Sequence, residues 1–353
     1  MKIITRPAEL NGEPQIESIA PKGDVLLFDI ETTGLKKGTT QAYLIGCAYY
    51  DGECWMIRQY LSESALDERE ILEAFFDFAR GFRVLMHFNG DGFDIPYLDF
   101  KQEFYGLGFS FTDFCSFDIY RRAKSLRKLL CLSKMGQTSI EQFLKIERDD
   151  KMTGGQLIPY YYEYERTGDP EAERLLLLHN FDDLQGMLKI LDILKYLDIQ
   201  EGNFHYEGME TASGYAILNY RLEQEMPVTF EKQIEKPEIV ICADGSLLQI
   251  SLKLYEGIAK YPLEDVENYY YLPAEDTVVH KDVARFVDQK YRKKATKKNC
   301  FLKKEGRFLP QNQKLFDPAY YVDGDKKRSY FDITEISAGP EVWKEYALDI
   351  INS

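Results

Sequence analysis

An apolar stretch near the start of the chain, residues 26–35 (LLFDIETTGL), carries two carboxylates at alternate positions. Residues two apart in a β-strand project from the same face, so Asp29 and Glu31 should project together from the end of a buried strand. The turn at Gly34 then leaves the sheet edge open beside them. Two neighbouring carboxylates favour a divalent cation, because Mg²⁺ and Mn²⁺ take oxygen ligands and leave room for a phosphate. The stretch therefore predicts a metal site suited to phosphodiester chemistry, provided that other segments supply further ligands.

The size and composition of the chain predict a protein of about two domains. It has 353 residues, of which 44% are hydrophobic, and a domain averages about 150 residues. No run approaches the ~18 apolar residues of a membrane helix, and residues 1–23 lack the apolar centre of a secretory signal. We therefore expect no membrane association and a cytoplasmic location. The six cysteines form no Cys-x-x-Cys pair, which argues against a zinc knuckle or a disulfide framework.

Hydrophobic periodicity predicts an α/β first domain. Strands are predicted at residues 25–30, 42–50, 53–61, 83–88 and 114–120. One helix is predicted at residues 67–79, and a longer helix begins at the Asp169-Pro170 cap and runs to about residue 197. This order of elements fits a mixed sheet flanked by helices. We divide the chain into an N-terminal arm (1–23), this α/β domain (24–203) and a C-terminal domain (204–353).

The C-terminal domain is predicted to be α+β and smaller than the first. Hairpin turns are predicted at Asp244-Gly245, Glu305-Gly306 and Asp323-Gly324. Helices are predicted at about 276–295 and 340–351. Beyond residue 205 we find no family pattern.

Three further residues complete the candidate site of the first domain. Asp94 follows a glycine-rich turn and begins a helix, while His179 and Asp183 lie four residues apart on the long helix. Asp182 is turned about 100° from Asp183, so only one of these two acids can face the site. Two cations held ~4 Å apart by four acids could activate a water and stabilise the leaving oxygen of an in-line displacement. The imidazole of His179 could accept the proton of that water.

These motifs resemble those of the DEDD (DnaQ-like) superfamily of 3′→5′ exonucleases, which has an RNase H-like fold. The three family motifs are similar to residues 28–32, 89–98 and 179–183. The string FDIPYL at 93–98 is similar to the proofreading domain of family-B DNA polymerases, and the whole pattern is similar to bacterial proteins of the YprB type. The resemblance covers about residues 24–197.

The resemblance implies that four acids bind two metal ions, Mg²⁺ or Mn²⁺, and that one histidine orients the attacking water. The implied metal ligands are Asp29, Glu31, Asp94 and Asp183, and the implied water-orienting residue is His179. One spacing departs from the family pattern. In the family, a Tyr is normally separated from the last Asp by three residues, whereas a His is separated from it by four. His179 is separated from Asp183 by three residues, which is the spacing of the Tyr. His179 therefore either positions the water, as that Tyr does, or acts as a base in a shifted geometry.

Two sets of residues are candidates for binding substrate. The first set follows the acidic motifs, where a 3′ end would lie, and comprises Thr32, Thr33, Leu35 and Asn89; plain turn residues are the alternative. The second set belongs to a basic stretch at 290–307, in which nine Lys or Arg meet one acid. From that stretch we select Lys293, Lys294, Lys297 and Lys298 as a phosphate-binding surface, against the alternative of a solvated helix end.

The sequence therefore predicts a metal-dependent 3′→5′ exonuclease acting on single-stranded DNA or RNA 3′ ends. Its partners would be nucleic acid and a protein that the C-terminal domain could bind. A non-catalytic nucleic-acid-binding scaffold and a phosphodiesterase for short oligonucleotides stay open as alternatives. The net charge of −15 argues only against binding of a polyanion over the whole surface.

Overall fold

The strand that carries Asp29 and Glu31 lies inside a six-stranded sheet in the structure, a computed structural model that describes residues 1–353. The chain divides into two compact units, Met1–Leu197 and Asp198–Ser353. The boundary is close to the one predicted at residue 203. None of the helices is long and apolar enough to cross a membrane.

The sheet of the first unit is mixed, with the strand order β1-β4-β3-β2-β5-β6. Its strands are β1 (Lys2–Pro7), β2 (Val25–Thr32), β3 (Ala42–Tyr50), β4 (Trp55–Leu61), β5 (Val84–His87) and β6 (Cys115–Asp118). β2 runs antiparallel to β3 but parallel to β5, which is parallel to β6. The carboxyl ends of β2, β5 and β6 therefore meet at one edge of the sheet.

Residues 1–23 are not a separate arm, because they supply the edge strand β1, which pairs with β4 over its whole length. Six α-helices belong to this unit: α1 (Glu68–Ala79), α2 (Asp94–Tyr105), α3 (Ile119–Ala123), α4 (Gln137–Phe143), α5 (Gly154–Thr167) and α6 (Pro170–Lys189). A seventh, α7 (Leu197–Glu201), begins at the last residue of the unit. The long helix predicted to reach residue 197 ends at Lys189 and continues as a 3-10 helix, Ile190–Tyr196.

Helices cover both faces of this sheet. Leu26, Phe28 and Ile30 of β2 pack with α1 and α2 in one core, so the alternate residues Asp29 and Glu31 face the other side. The core on that side includes buried residues of α5 and α6. The predicted mixed sheet flanked by helices is confirmed.

The second unit is built on antiparallel sheets with few helices. Its strands are β7 (Phe204–Ala212), β8 (Tyr215–Leu222), β9 (Phe230–Ile234), β10 (Ile239–Asp244), β11 (Leu247–Lys253), β12 (Tyr255–Pro262), β13 (Tyr269–Leu272), β14 (Thr277–His280), β15 (Lys293–Lys294), β16 (Phe301–Gln311) and β17 (Ser329–Asp332). They form sheets of the order β7-β8-β11-β10-β9, β12-β16-β17 and β14-β13-β15. The helices are α8 (Lys281–Ala284) and α9 (Pro340–Ile351).

Two sequence predictions for this unit are wrong. The segment 276–295 is not one helix, because Thr277–His280 pairs with β13 and only Lys281–Ala284 is α-helical. The β-branched pair Val278-Val279 satisfies its backbone in this ladder. Glu305-Gly306 is no turn, since it lies inside β16. The turn at Asp244-Gly245, which joins β10 to β11, and the helix Pro340–Ile351 are confirmed.

Candidate active site

The two acids of the first motif lie at the carboxyl end of β2, where the pairing with β3 is irregular. Asp29 pairs with Gly46 and Glu31 with Leu44, but Thr32 pairs with Ala42. A bulge of this kind redirects a side chain, and the Tyr43 hydroxyl lies 3.5 Å from Glu31 Oε2. The local irregularity therefore supplies Glu31 with a hydrogen-bond donor.

Asp94 reaches the same strand from the amino end of α2. Its Oδ1 accepts a hydrogen bond from the Ile30 backbone N–H at 3.3 Å, and the side chain is buried. The contact joins the start of α2 to the residue between Asp29 and Glu31. Asp94 thus lies at the site where the sequence predicts a metal ligand.

The third segment is α6, which begins with Asp169 accepting a hydrogen bond from Ala172 N–H and Pro170 in the first turn. His179 Nε2 lies 3.2 Å from Glu31 Oε1 and 3.3 Å from Asp183 Oδ2. These three side chains each offer a ligand atom within 4.8 Å of the others. The helix therefore brings its one-turn pair, His179 and Asp183, against the end of β2.

Asp182 faces away from this cluster, as the helical geometry requires. Its Oδ2 accepts hydrogen bonds from the backbone N–H groups of Asp149 and Asp150, at 3.0 and 2.7 Å. Asp182 therefore fixes the loop before α5, and Asp183 is the acid that faces the site.

That loop contributes two residues that sequence reasoning missed. Asp150 Oδ2 lies 2.7 Å from His179 Nδ1, and Arg148 Nη2 donates to Asp183 Oδ1 at 2.7 Å. Arg148 also pairs with the buried Glu141, at 3.1 Å. The available signal was an Arg-Asp-Asp triplet followed closely by the Gly-Gly start of a helix, but no periodicity connects a polar loop to α6.

A buried amide chain holds Asp29. Asn180 Nδ2 donates to Asp29 Oδ2 at 3.1 Å, while Asn180 Oδ1 accepts from Gln59 Nε2 at 2.9 Å. Gln59 therefore sets the orientation of the Asn180 amide. A β-carbon at Gly46 would overlap the Asn180 side chain and lie 2.6 Å from Leu184 Cδ1. The glycine opposite Asp29 allows α6 to approach the sheet.

The electrostatics of the cluster disfavour several negative charges at once. Burial, followed by the charges of Asp183, Asp94 and Glu31, raises the pKa of Asp29 well above its ordinary value. Burial also raises the pKa of Glu31, despite the His179 hydrogen bond, and raises that of Asp94 to about 7. Burial lowers the pKa of His179, but the hydrogen bond to Glu31 and the charges of Asp183 and Glu31 outweigh it and raise that pKa to about 10. The surrounding carboxylates therefore favour a proton on the imidazole as long as no metal ion neutralises them.

The donor set fits a hard divalent cation. Asp29, Glu31, Asp94 and Asp183 offer carboxylate oxygens, the ligands that Mg²⁺ and Mn²⁺ prefer. Burial first, and neighbouring carboxylates second, raise the pKa values of Asp29, Glu31 and Asp94, so a bound cation would favour the charged form of these three side chains. These four acids would hold such ions.

The predicted substrate-binding residues are divided between the two units. Thr32 Oγ1 donates to Gly34 O, and Thr33 Oγ1 accepts from Gln41 N–H, so both stabilise the turn after β2. Leu35 in that turn is 81% exposed. Asn89 is exposed and has a left-handed backbone, with φ of 61°. The four selected lysines belong to the second unit.

Comparison with known proteins gives a family match within the first unit. A family model described as the RNase_H superfamily matches residues 26–195. No curated protein sequence matches the chain.

Three solved structures resemble the chain at low identity. A family B DNA polymerase from the archaeon Pyrobaculum calidifontis is 14% identical, with a TM-score of 0.38 over 67% of this chain and 33% of the polymerase. A zinc-bound ExoI–ssDNA complex from E. coli is 12% identical, with a TM-score of 0.30 over 55% of this chain and 53% of that one. An ExoI/SSB-Ct complex is 13% identical, with a TM-score of 0.29 over 93% and 74%. The chain thus spans about a third of the polymerase and about half of the ExoI chain in the zinc-bound complex.

The family match covers β2 to β6, except for the first residue of β2, together with α1 to α6; the edge strand β1 lies outside it. The sheet order and the helices on both faces agree with that match. The first unit of this chain has an RNase H-like fold.

Proposed function

We propose that this protein is a metal-dependent 3′→5′ exonuclease that hydrolyses phosphodiester bonds of single-stranded DNA or RNA. The observation that carries the proposal is the convergence of Asp29, Glu31, Asp94 and Asp183 at one end of β2 in an RNase H-like fold. Mg²⁺ or Mn²⁺ bound there would supply Lewis-acid stabilisation of the phosphoryl charge and lower the pKa of water. The four acids would hold the ions.

His179 is proposed to orient the attacking water rather than to accept its proton. Its Nδ1 lies 2.7 Å from Asp150 Oδ2, and its Nε2 lies 3.2 Å from Glu31 Oε1 and 3.3 Å from Asp183 Oδ2. Two carboxylates beside Nε2 favour a proton on that nitrogen. This arrangement favours hydrogen-bond donation, and Asp150 fixes the plane of the ring.

The turn after β2 is proposed to hold the 3′ end of the substrate. Leu35 offers an exposed apolar side chain that can pack against a terminal base. Thr32, Thr33 and Asn89 would contribute polar groups near the terminal phosphate. Lys293, Lys294, Lys297 and Lys298 of the second unit would bind phosphates of a nucleic acid.

The decisive experiment incubates 5′-labelled DNA and RNA oligonucleotides with Mg²⁺ or Mn²⁺. We expect a descending ladder of products that disappears in the Asp29→Ala variant. The exposed Asp77, on α1, provides a control, and its replacement by Ala should leave the ladder unchanged. Absence of metal-dependent cleavage of either polymer would refute the enzyme and leave a nucleic-acid-binding scaffold.

The length of the substrate separates the exonuclease from a phosphodiesterase for short oligonucleotides. An exonuclease should shorten a 20-residue strand stepwise from its 3′ end. A phosphodiesterase should cleave dinucleotides and leave the longer strand largely intact. A 3′-phosphorothioate end should block the first activity at its first step.

A further inference from the structure

A second basic segment lies in the nuclease-like unit itself, directly after β6. Residues 121–134 (RRAKSLRKLLCLSK) contain six Lys or Arg and no acid, in a chain whose net charge is −15. Two of the six are engaged nearby. Arg121 pairs with Asp91 at 2.5 Å, and Arg122 lies over the Phe117 ring at 5.3 Å. The remaining four are exposed.

Part of this segment encloses a cleft of about 450 Å³. We name it the basic pocket; its polar lining comprises Tyr120, Lys124, Arg127, Ser133 and Lys134. No carboxylate lines it, and neither Lys124 nor Lys134 forms an ion pair with an acid. Arg127 Nε donates to the Leu132 carbonyl at 3.3 Å, which orients the guanidinium without neutralising it.

Two clefts in the second unit differ in their charge. One cleft is lined by four lysines, among them Lys232, and by Arg328, but also by the acids Glu235 and Asp325. The other contains Glu345 and Asp349 and no cation. A cleft lined by three cations, two hydroxyl groups and no acid is suited to a phosphate group, because Arg and Lys both bind phosphate oxygens.

The position of the basic pocket relates it to the acidic cluster. β2, β5 and β6 are parallel neighbours, so their carboxyl ends lie at one edge, and two strand spacings are about 10 Å. β6 ends at Asp118, just before the basic segment, and Asp118 Oδ1 accepts from the N–H groups of both Asn89 and Arg121. The edge from β2 to β6 is therefore as long as about three stacked nucleotides at about 3.4 Å each, and the pocket is lined by residues that follow β6 in the chain.

We propose that the basic pocket binds an internal phosphate of the single strand whose 3′ end lies at Asp29 and Glu31. The inference rests on the proposed exonuclease and adds the direction in which the substrate leaves the acidic cluster, across the ends of β5 and β6. Lys124 and Lys134 provide positive charge, and Arg127 provides a paired donor set for two phosphate oxygens. The Ser133 and Tyr120 hydroxyl groups can complete the contacts.

The test measures binding separately from cleavage. The triple variant Lys124→Gln/Arg127→Gln/Lys134→Gln and the wild type are titrated onto a fluorescent 12-residue single strand in EDTA, by anisotropy at several salt concentrations. We expect the Kd to rise about tenfold or more at low salt, and the slope of log K against log salt to flatten by about 0.7, because one phosphate contact is lost. The double variant Lys124→Gln/Lys134→Gln loses no observed hydrogen bond and should show a smaller shift in the same direction.

A charge-matched control replaces exposed lysines of the second unit, Lys236→Gln/Lys326→Gln/Lys327→Gln. An equal effect of this control would overturn the basic pocket, because it would show a general effect of charge. An unchanged Kd and slope in the triple variant, with unchanged thermal stability, would also overturn it. If inorganic phosphate displaces the strand at submillimolar concentration, and the pocket binds the strand no more tightly than it binds phosphate, the pocket would be assigned to free phosphate instead.

Cleavage in Mn²⁺ provides the second arm. We expect the triple variant to raise KM for the 12-residue strand with little change in kcat, and to cleave a dinucleotide, which is too short to reach the pocket, as the wild type does. Equal losses for both substrates would overturn the proposal. If the wild type binds in EDTA but cleaves nothing in any metal, the proposed function fails while the binding arm still decides the pocket.

Discussion

At the scale of single residues, His179 depends on Asp150 for its orientation. Asp150→Asn removes the charge that faces His179 Nδ1 at 2.7 Å, so the pKa of His179 should fall from about 10. We expect the cleavage rate to fall about 10- to 100-fold, as is usual for a partner that orients a residue of a metal site. The chain has four histidines, so NMR titration can follow this imidazole directly.

The adjacent Asp149 is a matched control for that variant. It is exposed, and it contacts the site only through its backbone N–H, which donates to Asp182. Asp149→Asn should change neither the His179 titration nor the rate. Equal effects of the two substitutions would mean that the loop as a whole, rather than the Asp150 carboxylate, supports the site.

The acidic cluster should exchange protons for metal ions. Burial raises the pKa of Asp94 to about 7, and burial together with neighbouring charges raises that of Asp29. A carboxyl with a raised pKa holds its proton at neutral pH, and a cation must displace it. The apparent Mn²⁺ affinity should therefore increase from pH ~6 to pH ~8. Calorimetry in buffers of different ionisation enthalpy should detect proton release, and a pH-independent affinity would contradict this coupling.

At the scale of elements, the approach of α6 to the sheet depends on one glycine of β3. Gly46→Ala places a methyl group against Asn180 and Leu184. We expect a loss of about 1–3 kcal/mol in the free energy of unfolding, together with lower activity, because Asn180 holds Asp29. Gly23→Ala is the control, since no atom lies within 4 Å of its added carbon. Chemical denaturation measures both, and equal stability would show that α6 adjusts without cost.

A buried ion pair fixes the segment that follows the first motif. Lys101 Nζ lies 2.8 Å from Glu68 Oε1 and also donates to Thr40 O. Glu68→Ala leaves Lys101 buried without its carboxylate and should cost about 3–5 kcal/mol of unfolding free energy. Glu73→Ala, which breaks the exposed pair with Arg69 on the same helix, should cost less than about 1 kcal/mol. Similar losses in urea denaturation would mean that Lys101 finds another partner.

The elements that carry the main site residues follow from local chemistry. Apolar runs predict β2 and β3, and the Asp169-Pro170 start predicts α6. The loop with Arg148 and Asp150 is different, because its contacts with His179 and Asp183 are 29 and 35 residues away in sequence. No local period encodes such pairs. The helix prediction at 276–295 is wrong for a related reason. The pairing of β14 with β13 outweighs the helical preference of that segment.

At the scale of the whole molecule, the four selected lysines lie along the edge of one small sheet. Lys293 and Lys294 are consecutive residues of β15, an edge strand, so they point to opposite faces. Lys297 and Lys298 occupy the turn that follows, closed by a hydrogen bond from Asn299 N–H to Thr296 O. The other Lys and Arg of the stretch are engaged, for example Lys303 with Asp276 and Arg307 with Glu256. These four exposed lysines form no ion pair.

Lysines on an edge strand can serve either of two purposes. They can bind phosphates, or they can keep the open edge from pairing with another chain. Replacing Lys293, Lys294, Lys297 and Lys298 with Glu distinguishes the two. If they bind substrate, the affinity for a 30-residue single strand should fall at least about tenfold and its salt dependence should flatten, because four phosphate contacts are lost.

The fragment 1–203, which contains all four acids and the basic pocket, should then match the quadruple variant in binding to long strands and keep the cleavage ladder on short ones. Anisotropy titration and light scattering on both proteins provide the measurement. Unchanged affinity with unchanged association would exclude substrate binding and assign the lysines to edge protection, because glutamates keep the edge charged but repel polyanions. Substrate binding would then belong to the first unit alone.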